Sequence, residues 1–309
     1  MKFAFFFPGQ GSQSVGMMQG LADIAVVRQT FDEASDILGQ NFWTMVTESN
    51  EALNQTSNTQ PLMLTAGVAT WRAWQAHSSL APSILAGHSL GEYTALVAAA
   101  ALSFKDALPL VRYRAEVMQS AVAEGVGAMA AILGLDDETV RQVCAEGAQG
   151  EVLEAVNLNS PGQVVIAGNK AAVERGMEIA KAKGAKRALA LSVSVPSHCA
   201  LMKPAAEALA VYLQNVPMTV GNVPVIHNAD VLAYSDTHQM KDALVRQLYS
   251  PVRWVETVQS TYNQGITNTA ECGPGKVLAG LTKRIVAELP CIALTNVESL
   301  AEAQVQFSA

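Results

Sequence analysis

Gly87-His88-Ser89-Leu90-Gly91 sets a serine between two glycines in a G-x-S-x-G run. The residues before it, Pro82-Ser83-Ile84-Leu85-Ala86, are short, apolar and proline-started, as a buried strand is. Those after it, 92–101, read EYTALVAAAA, a strong helix former with an acid in its first turn. A serine at a strand–turn–helix corner has its hydroxyl thrust out of the turn, and the glycines spare the backbone a Cβ clash. The helix N-terminus aims free N–H groups and a positive dipole end at whatever the oxygen attacks. Ser89 is therefore a candidate acyl acceptor. The bland alternative is a tight turn whose serine caps a helix, and what separates the two is a base.

The chain has five histidines. His77 lies at a predicted helix end and is expected to be exposed. His88, inside the elbow, points away from Ser89 and reads as a buried structural hydrogen-bonder. His238 opens a polar helix. His198, in Val195-Pro196-Ser197-His198, and His227, after Val225-Ile226, remain as candidate bases. His198 follows a strand end where a small domain is predicted to return to a larger one, and such a cleft is a natural place for a site; it is favoured, with His227 kept open. A third group usually holds a base's tautomer. Asp230, Asp236 and Asp242 are candidates, and spacing selects none.

Other chemistries find less support. Cys199 beside His198 is a weak candidate nucleophile, since sequence neighbours usually point apart. Gly9-Gln10-Gly11-Ser12-Gln13-Ser14 follows a strand like a dinucleotide loop, but ends in serine and lacks a later acid. Gly275-Lys276 lacks the rest of a phosphate-binding loop, and no His/Cys/Asp/Glu group has metal-ligand spacing.

The elements that must position these residues alternate in type. A strand over 3–7, helices to about 74, a strand over 83–86 and helices over 92–101 and 104–122 predict an α/β fold with a mostly parallel sheet. The middle then changes character. Strand 127–135, helix 137–146, strands 151–159 and 163–168, helix 170–183 and strand 185–194 follow in the order βαββαβ, a ferredoxin-like unit. The expected division is a core of residues 1–123 and 195–309 with a small inserted domain over 124–194. Helix 199–213, strand 224–226, helices over 237–264, strand 266–271, a Gly273-Pro274-Gly275 turn, a helix to 285 and a last strand near Ile292 complete the core.

Of the 309 residues, 50% are hydrophobic and 15% charged, enough for a sizeable core. A net charge of −7 argues against nucleic-acid binding. Four cysteines without C-x-x-C spacing read as thiols of a reducing compartment. The apolar start is short and runs into Pro8-Gly9, unlike a signal peptide, and no apolar run approaches the ~20 residues of a membrane span. A cytoplasmic protein is expected.

Several runs occur in order: FPGQGSQ (7–13), TQPLMLTA (59–66), GHSLGEY (87–93), NSPGQVVIAG (159–168), VSVPSH (193–198), LVRQLYSPVRW (244–254) and GPGKVL (273–278). With them the chain closely resembles the bacterial malonyl-CoA:acyl carrier protein transacylases of fatty acid synthesis along nearly its whole length. The resemblance implies a hydrolase-like core with a ferredoxin-like insert. It implies Ser89 as acylated nucleophile, His198 as general base and acid, and the backbone N–H groups of Gln10 and Leu90 as oxyanion hole. It also implies that the carbonyl of Gln247 orients His198 in place of an aspartate. Arg114 matches the arginine that holds the malonyl carboxylate. Arg112, ~200° around a helix from Arg114, cannot face the same site and reads as surface or structural.

The implied reaction is a two-step exchange through a malonyl-serine ester, with malonyl-CoA and acyl carrier protein as partners and neither metal nor redox cofactor. Rivals are a serine esterase or thioesterase, a polyketide-type acyltransferase, and a non-catalytic carrier-protein scaffold. The length suggests a free-standing monomer. An acidic carrier would need a local basic patch, such as Lys181, Lys183, Lys186 and Arg187 or Lys276, Lys283 and Arg284.

Overall fold

The run Phe3–Phe7 forms strand β1 and is buried along its whole length, as in a parallel sheet covered on both faces. Its side chains alternate between two cores. Phe3 and Phe5 meet Trp74 and Phe307 with ring centroids 4.4–6.3 Å apart, while Phe6 meets Trp254 at 5.2 Å on the other face. Each such ring contributes about 1.5–3 kcal/mol by burial. The computed structural model describes residues 2–48, 51–193 and 195–309.

The strands that follow are β2 (Ile84–Gly87), β3 (Gly127–Leu133), β4 (Leu153–Ser160), β5 (Gln163–Asn169), β6 (Arg187–Ala190), β7 (Val225–Ile226), β8 (Asn268–Glu271) and β9 (Cys291–Ala293). One sheet has the order β7-β2-β1-β8-β9 and is parallel throughout. The other has the order β4-β5-β3-β6 and is antiparallel, with helices Asp137–Ala148 and Lys170–Ala182 on one face. That order and the βαββαβ succession make it ferredoxin-like. The second sheet is tied to the segment before helix Trp254–Asn263 by an isolated bridge between Asn157 and Val252: Leu158 N donates to Val252 O at 3.0 Å, and Val252 N to Val156 O at 2.8 Å. The α/β class, the parallel sheet and the ferredoxin-like unit thus match the expectation.

Several boundaries differ. The helix after the elbow covers Gly91–Ala98 and stops short of 101, because Ala100 turns left-handed (φ 59°) and Ala101 N reaches back to Leu96 O. β6 is shorter than 185–194; Ser194, at the end of that expected strand, lies outside the described residues. A short 3₁₀ turn, Ala200–Met202, precedes helix Lys203–Gln214. The chain does not finish near Ile292: helix Val297–Ser308 follows, and Leu300, Ala303 and Phe307 seat it on the core.

Candidate active site

β2 runs straight into the turn at Ser89, whose φ of 50° is left-handed. Such backbone costs a non-glycine residue of order 1–3 kcal/mol and persists only where its surroundings hold it. The flanking glycines are required by close approach. A Cβ on Gly87 would lie 1.9 Å from the carbonyl carbon of Gly91, and one on Gly91 would lie 2.0 Å from Phe7 O. Asn228 ties the corner down: its Oδ1 accepts from Ser89 N at 2.7 Å and its Nδ2 donates to Gly87 O at 2.6 Å.

Ser89 Oγ lies 2.8 Å from His198 Nε2. On the far side of the ring, Nδ1 lies 2.7 Å from the carbonyl oxygen of Gln247. A carbonyl can only accept, so the imidazole proton sits on Nδ1 and Nε2 turns its lone pair to the serine. Gln247 is the last residue of helix Thr237–Gln247, and carbonyls in a last turn lack intrahelical partners. A helix end therefore occupies the place behind the ring that a carboxylate takes in a Ser-His-Asp triad. His198 is itself left-handed (φ 66°), and its N donates to Leu248 O at 3.0 Å. Burial, reinforced by the Arg114 cation, pushes its pKa down to about 3, so the ring is neutral at physiological pH.

Arg114 projects from helix Phe104–Ser120. Ser103 caps that helix, accepting from Asp106 N. Ala107, Val111, Arg114 and Met118 share its buried stripe, so an arginine occupies a core position, 1% exposed. Nη1 donates to Gln60 Oε1 at 2.7 Å; Nη2 donates to Gln247 Oε1 at 2.9 Å and to Ser89 Oγ at 3.3 Å. The guanidinium lies over the Tyr93 ring, 5.5 Å from its centroid. Among the described residues it forms no ion pair with a carboxylate, and its Nε has no hydrogen-bond partner. The pairing with Glu116 or Glu124 that a surface arginine would make is absent. Arg112 instead donates to Gln40 Oε1 at 2.6 Å.

Beneath the elbow lies a second polar group. Glu92, fully buried, accepts from His227 Nδ1 at 2.6 Å, Asn228 N at 2.9 Å and Gln247 Nε2 at 2.8 Å. Gln247 Nε2 also donates to Ser89 O at 3.0 Å. His227 is thus brought to Glu92 and not to Ser89.

The remaining candidates divide plainly. The β1 loop presses on the elbow, where a Cβ on Gly9 would stand 2.4 Å from His88 O; this sets Gln10 beside Leu90 at the site cavity. Leu90 is the N-cap of its helix, where N–H groups have no intrahelical acceptor. Ser89 N is already spent on Asn228, and Gln10 and Leu90 both line the cavity at Ser89. Met129, Leu191 and Val193 bring the second sheet's side of the molecule over the same cavity. His88 is the structural hydrogen-bonder expected, its Nε2 2.8 Å from Asn159 Oδ1, though the residue as a whole is half-buried; His77 is half-buried rather than exposed. Asp230 and Asp242 pair with Arg246, and Asp236 caps a helix. Cys199 is buried, its thiol pushed up to about 12. No group of three metal-ligating side chains occurs among the described residues, nor a helix long and apolar enough to cross a membrane.

Gln60, Glu92 and Asn228 are the residues that sequence reasoning missed. Gln60 lies in the TQPLMLTA run and Glu92 in GHSLGEY, so both were in view without a role. Nothing local marked any of the three: Gln60 ends the polar run NQTSNTQ (54–60) and Asn228 lies in HNAD (227–230).

Residues 4–299 match the family model for the acyl transferase domain. A malonyl CoA-acyl carrier protein transacylase of Haemophilus influenzae is 55% identical over 301 residues, 96% of each chain. The crystal structure of an acyl-carrier-protein S-malonyltransferase from Burkholderia pseudomallei superposes with a TM-score of 0.97 at 59% identity, covering 99% of this chain and 100% of that one. A malonyl-transacylase solved in complex with its type II polyketide acyl carrier protein also gives 0.97, at 53% identity over 99% of this chain and 100% of that one.

Proposed function

We propose that this chain, which belongs to the acyl transferase family, moves a malonyl group from coenzyme A to the phosphopantetheine thiol of acyl carrier protein, supplying fatty acid synthesis. His198 Nε2 takes the proton of Ser89 Oγ as the oxygen attacks the thioester carbonyl. The Gln10 and Leu90 N–H groups stabilise the oxyanion. The C–S bond breaks, and the coenzyme A sulfur leaves with the proton from His198. A malonyl ester remains on Ser89. The carrier's thiol then gives its proton to His198 and attacks the ester, and Ser89 Oγ recovers that proton. Throughout, Gln247 O holds the Nδ1 proton, and Arg114 holds the malonyl carboxylate.

The observation that carries this reading is Arg114, a buried cation with no carboxylate of its own, 3.3 Å from the attacking oxygen. A water-directed esterase has no use for it. We read residues 1–123 and 195–309 as the catalytic core, residues 124–194 as the small domain, and the protein as a cytoplasmic monomer. It needs no cofactor, because thioester exchange requires only a nucleophile, a base and an oxyanion site.

Mass spectrometry of the protein mixed with malonyl-CoA should find one malonyl group, mapped to Ser89, and discharge by holo acyl carrier protein should restore the free mass. Ser89→Ala should give no adduct while keeping its fold. An adduct at another residue in that variant would overturn the assignment.

A further inference from the structure

The buried carboxylate of Glu92 lies outside the reacting atoms, yet its three partners reach most of the site. A carboxylate accepts and never donates. Each group facing it must therefore present a hydrogen: the His227 Nδ1–H, the Asn228 N–H and one N–H of the Gln247 amide. The second N–H of that amide is held by Ser89 O. With both hydrogens committed on one side, Gln247 Oε1 has only one way to face, toward Arg114 Nη2 at 2.9 Å. A flipped amide would set N–H against guanidinium N–H and leave Glu92 facing an oxygen. Arg114 and Glu92 are thus opposite charges joined through one amide, both closed to solvent.

We propose that Glu92 is a positioning residue for substrate selection: by fixing the Gln247 amide, it aims the Arg114 fork at the malonyl carboxylate and sets an opposite charge across that amide from the buried guanidinium. His227 serves it in turn, filling an acceptor site of Glu92 with Nδ1–H. This rests on Arg114 being the carboxylate-binding group proposed above. Two variants separate the contributions. Glu92→Gln keeps the size but turns an acceptor into a donor among donors. Gln247→Met removes the amide bridge and leaves the backbone carbonyl that orients His198.

The readout is the ratio of malonyl-CoA to acetyl-CoA acylation of Ser89, taken as kcat/KM for each, on variants whose folding is verified by circular dichroism. Wild type is measured first; if it forms no malonyl adduct, the assigned reaction fails, whatever the variants do. Given that adduct, both variants should lose about ten- to a hundredfold in the ratio, the range for a hydrogen bond to a charged group. Acetyl transfer should fall much less. In an Arg114→Ala background, Glu92→Gln should change the ratio no further, because the two act as one unit. A uniform fall on both substrates, or an unchanged ratio, would reduce Glu92 to scaffolding and overturn the proposal. Should Glu92→Gln fail to fold, Gln247→Met decides alone by the same criterion.

Discussion

Two buried histidines flank the elbow, and they are wired in opposite senses. His227 has the carboxylate partner that a hydrolase base usually has, Glu92 at 2.6 Å, yet among the described residues its Nε2 has no hydrogen-bond partner. His198 has only a backbone carbonyl behind it, yet its Nε2 meets Ser89 Oγ at 2.8 Å. The acid therefore does not mark the base. A carbonyl at a helix end can only accept, so it holds the proton on Nδ1, and in the proposed mechanism it does so without a negative charge beside the ring.

The sharpest way to break this comparison is to remove each ring. His198→Ala should lower malonyl transfer by about 10⁴- to 10⁶-fold, as disabling a serine–histidine pair does elsewhere. His227→Ala should cost stability and remain within about a hundredfold on transfer, the scale of one hydrogen bond to a charged group. Steady-state kinetics on both variants checks the order; if it came out reversed, the base would be misassigned.

The next effect in size is on selection. Malonyl differs from acetyl by a carboxylate, and Arg114 offers two nitrogens of a planar fork near the serine. Arg114→Ala should lower the malonyl-to-acetyl ratio by about ten- to a hundredfold while acetyl transfer persists. Arg114→Lys should rescue it poorly, since a single ammonium cannot span both oxygens. A wild-type ratio in the alanine variant would remove Arg114 from substrate recognition.

A smaller effect, on pH, follows from the environment of His198. Burial first and the Arg114 cation second push its pKa from 6.5 to about 3. The acid limb of kcat/KM should therefore lie well below pH 6.5. Arg114→Ala should move it upward only in part, because burial remains. Stability has the matching sign. Between pH 6.5 and about 3 the unfolded ring takes up a proton that the folded ring refuses, so stability falls as pH falls through that window. Urea titrations at pH 7 and pH 5 check this: the fall in midpoint between the two should be smaller in His198→Ala than in wild type, and an equal fall in both would contradict it.

What could be read in advance follows the range of the contacts. The elbow is local, and its strand, glycines and helix were legible at 82–98. The choice of base was not: on residues alone His198 and His227 stayed open, and the family resemblance carried the decision. Arg114 was half legible, since its i, i+3, i+4 neighbours place it on a buried stripe. Gln60, Glu92 and Asn228 were illegible because the partners that give them a role lie 54 to 155 positions away in the chain. Helix Val297–Ser308 escaped for another reason. Its buried face has only three residues, Leu300, Ala303 and Phe307, the middle one small, and gives a weak apolar period.

The smallest expected effect concerns two basic clusters. On the second sheet's side, Lys181 and Lys183 are already paired with Glu178 and Glu146 at 2.7 and 2.8 Å, so their field is largely cancelled locally. Lys276, Lys283 and Arg284 are exposed and form no ion pair among the described residues. Lys276 follows the 273–275 turn, where Gly275 and Ser12 are neighbours, so it borders the loop that carries Gln10. An acidic carrier protein arriving thiol-first at the loop that carries Gln10 would meet Lys276 beside it. Exposed charges act weakly, at about 0.2–1 kcal/mol each. Lys276→Glu should therefore raise the carrier-protein KM about two- to fivefold, leave Ser89 acylation at saturating malonyl-CoA unchanged, and lose its effect at high salt. Lys181→Glu should do less, since it exchanges a spent charge. Equal effects from the two reversals would mean that distance from the serine does not set where the carrier lands.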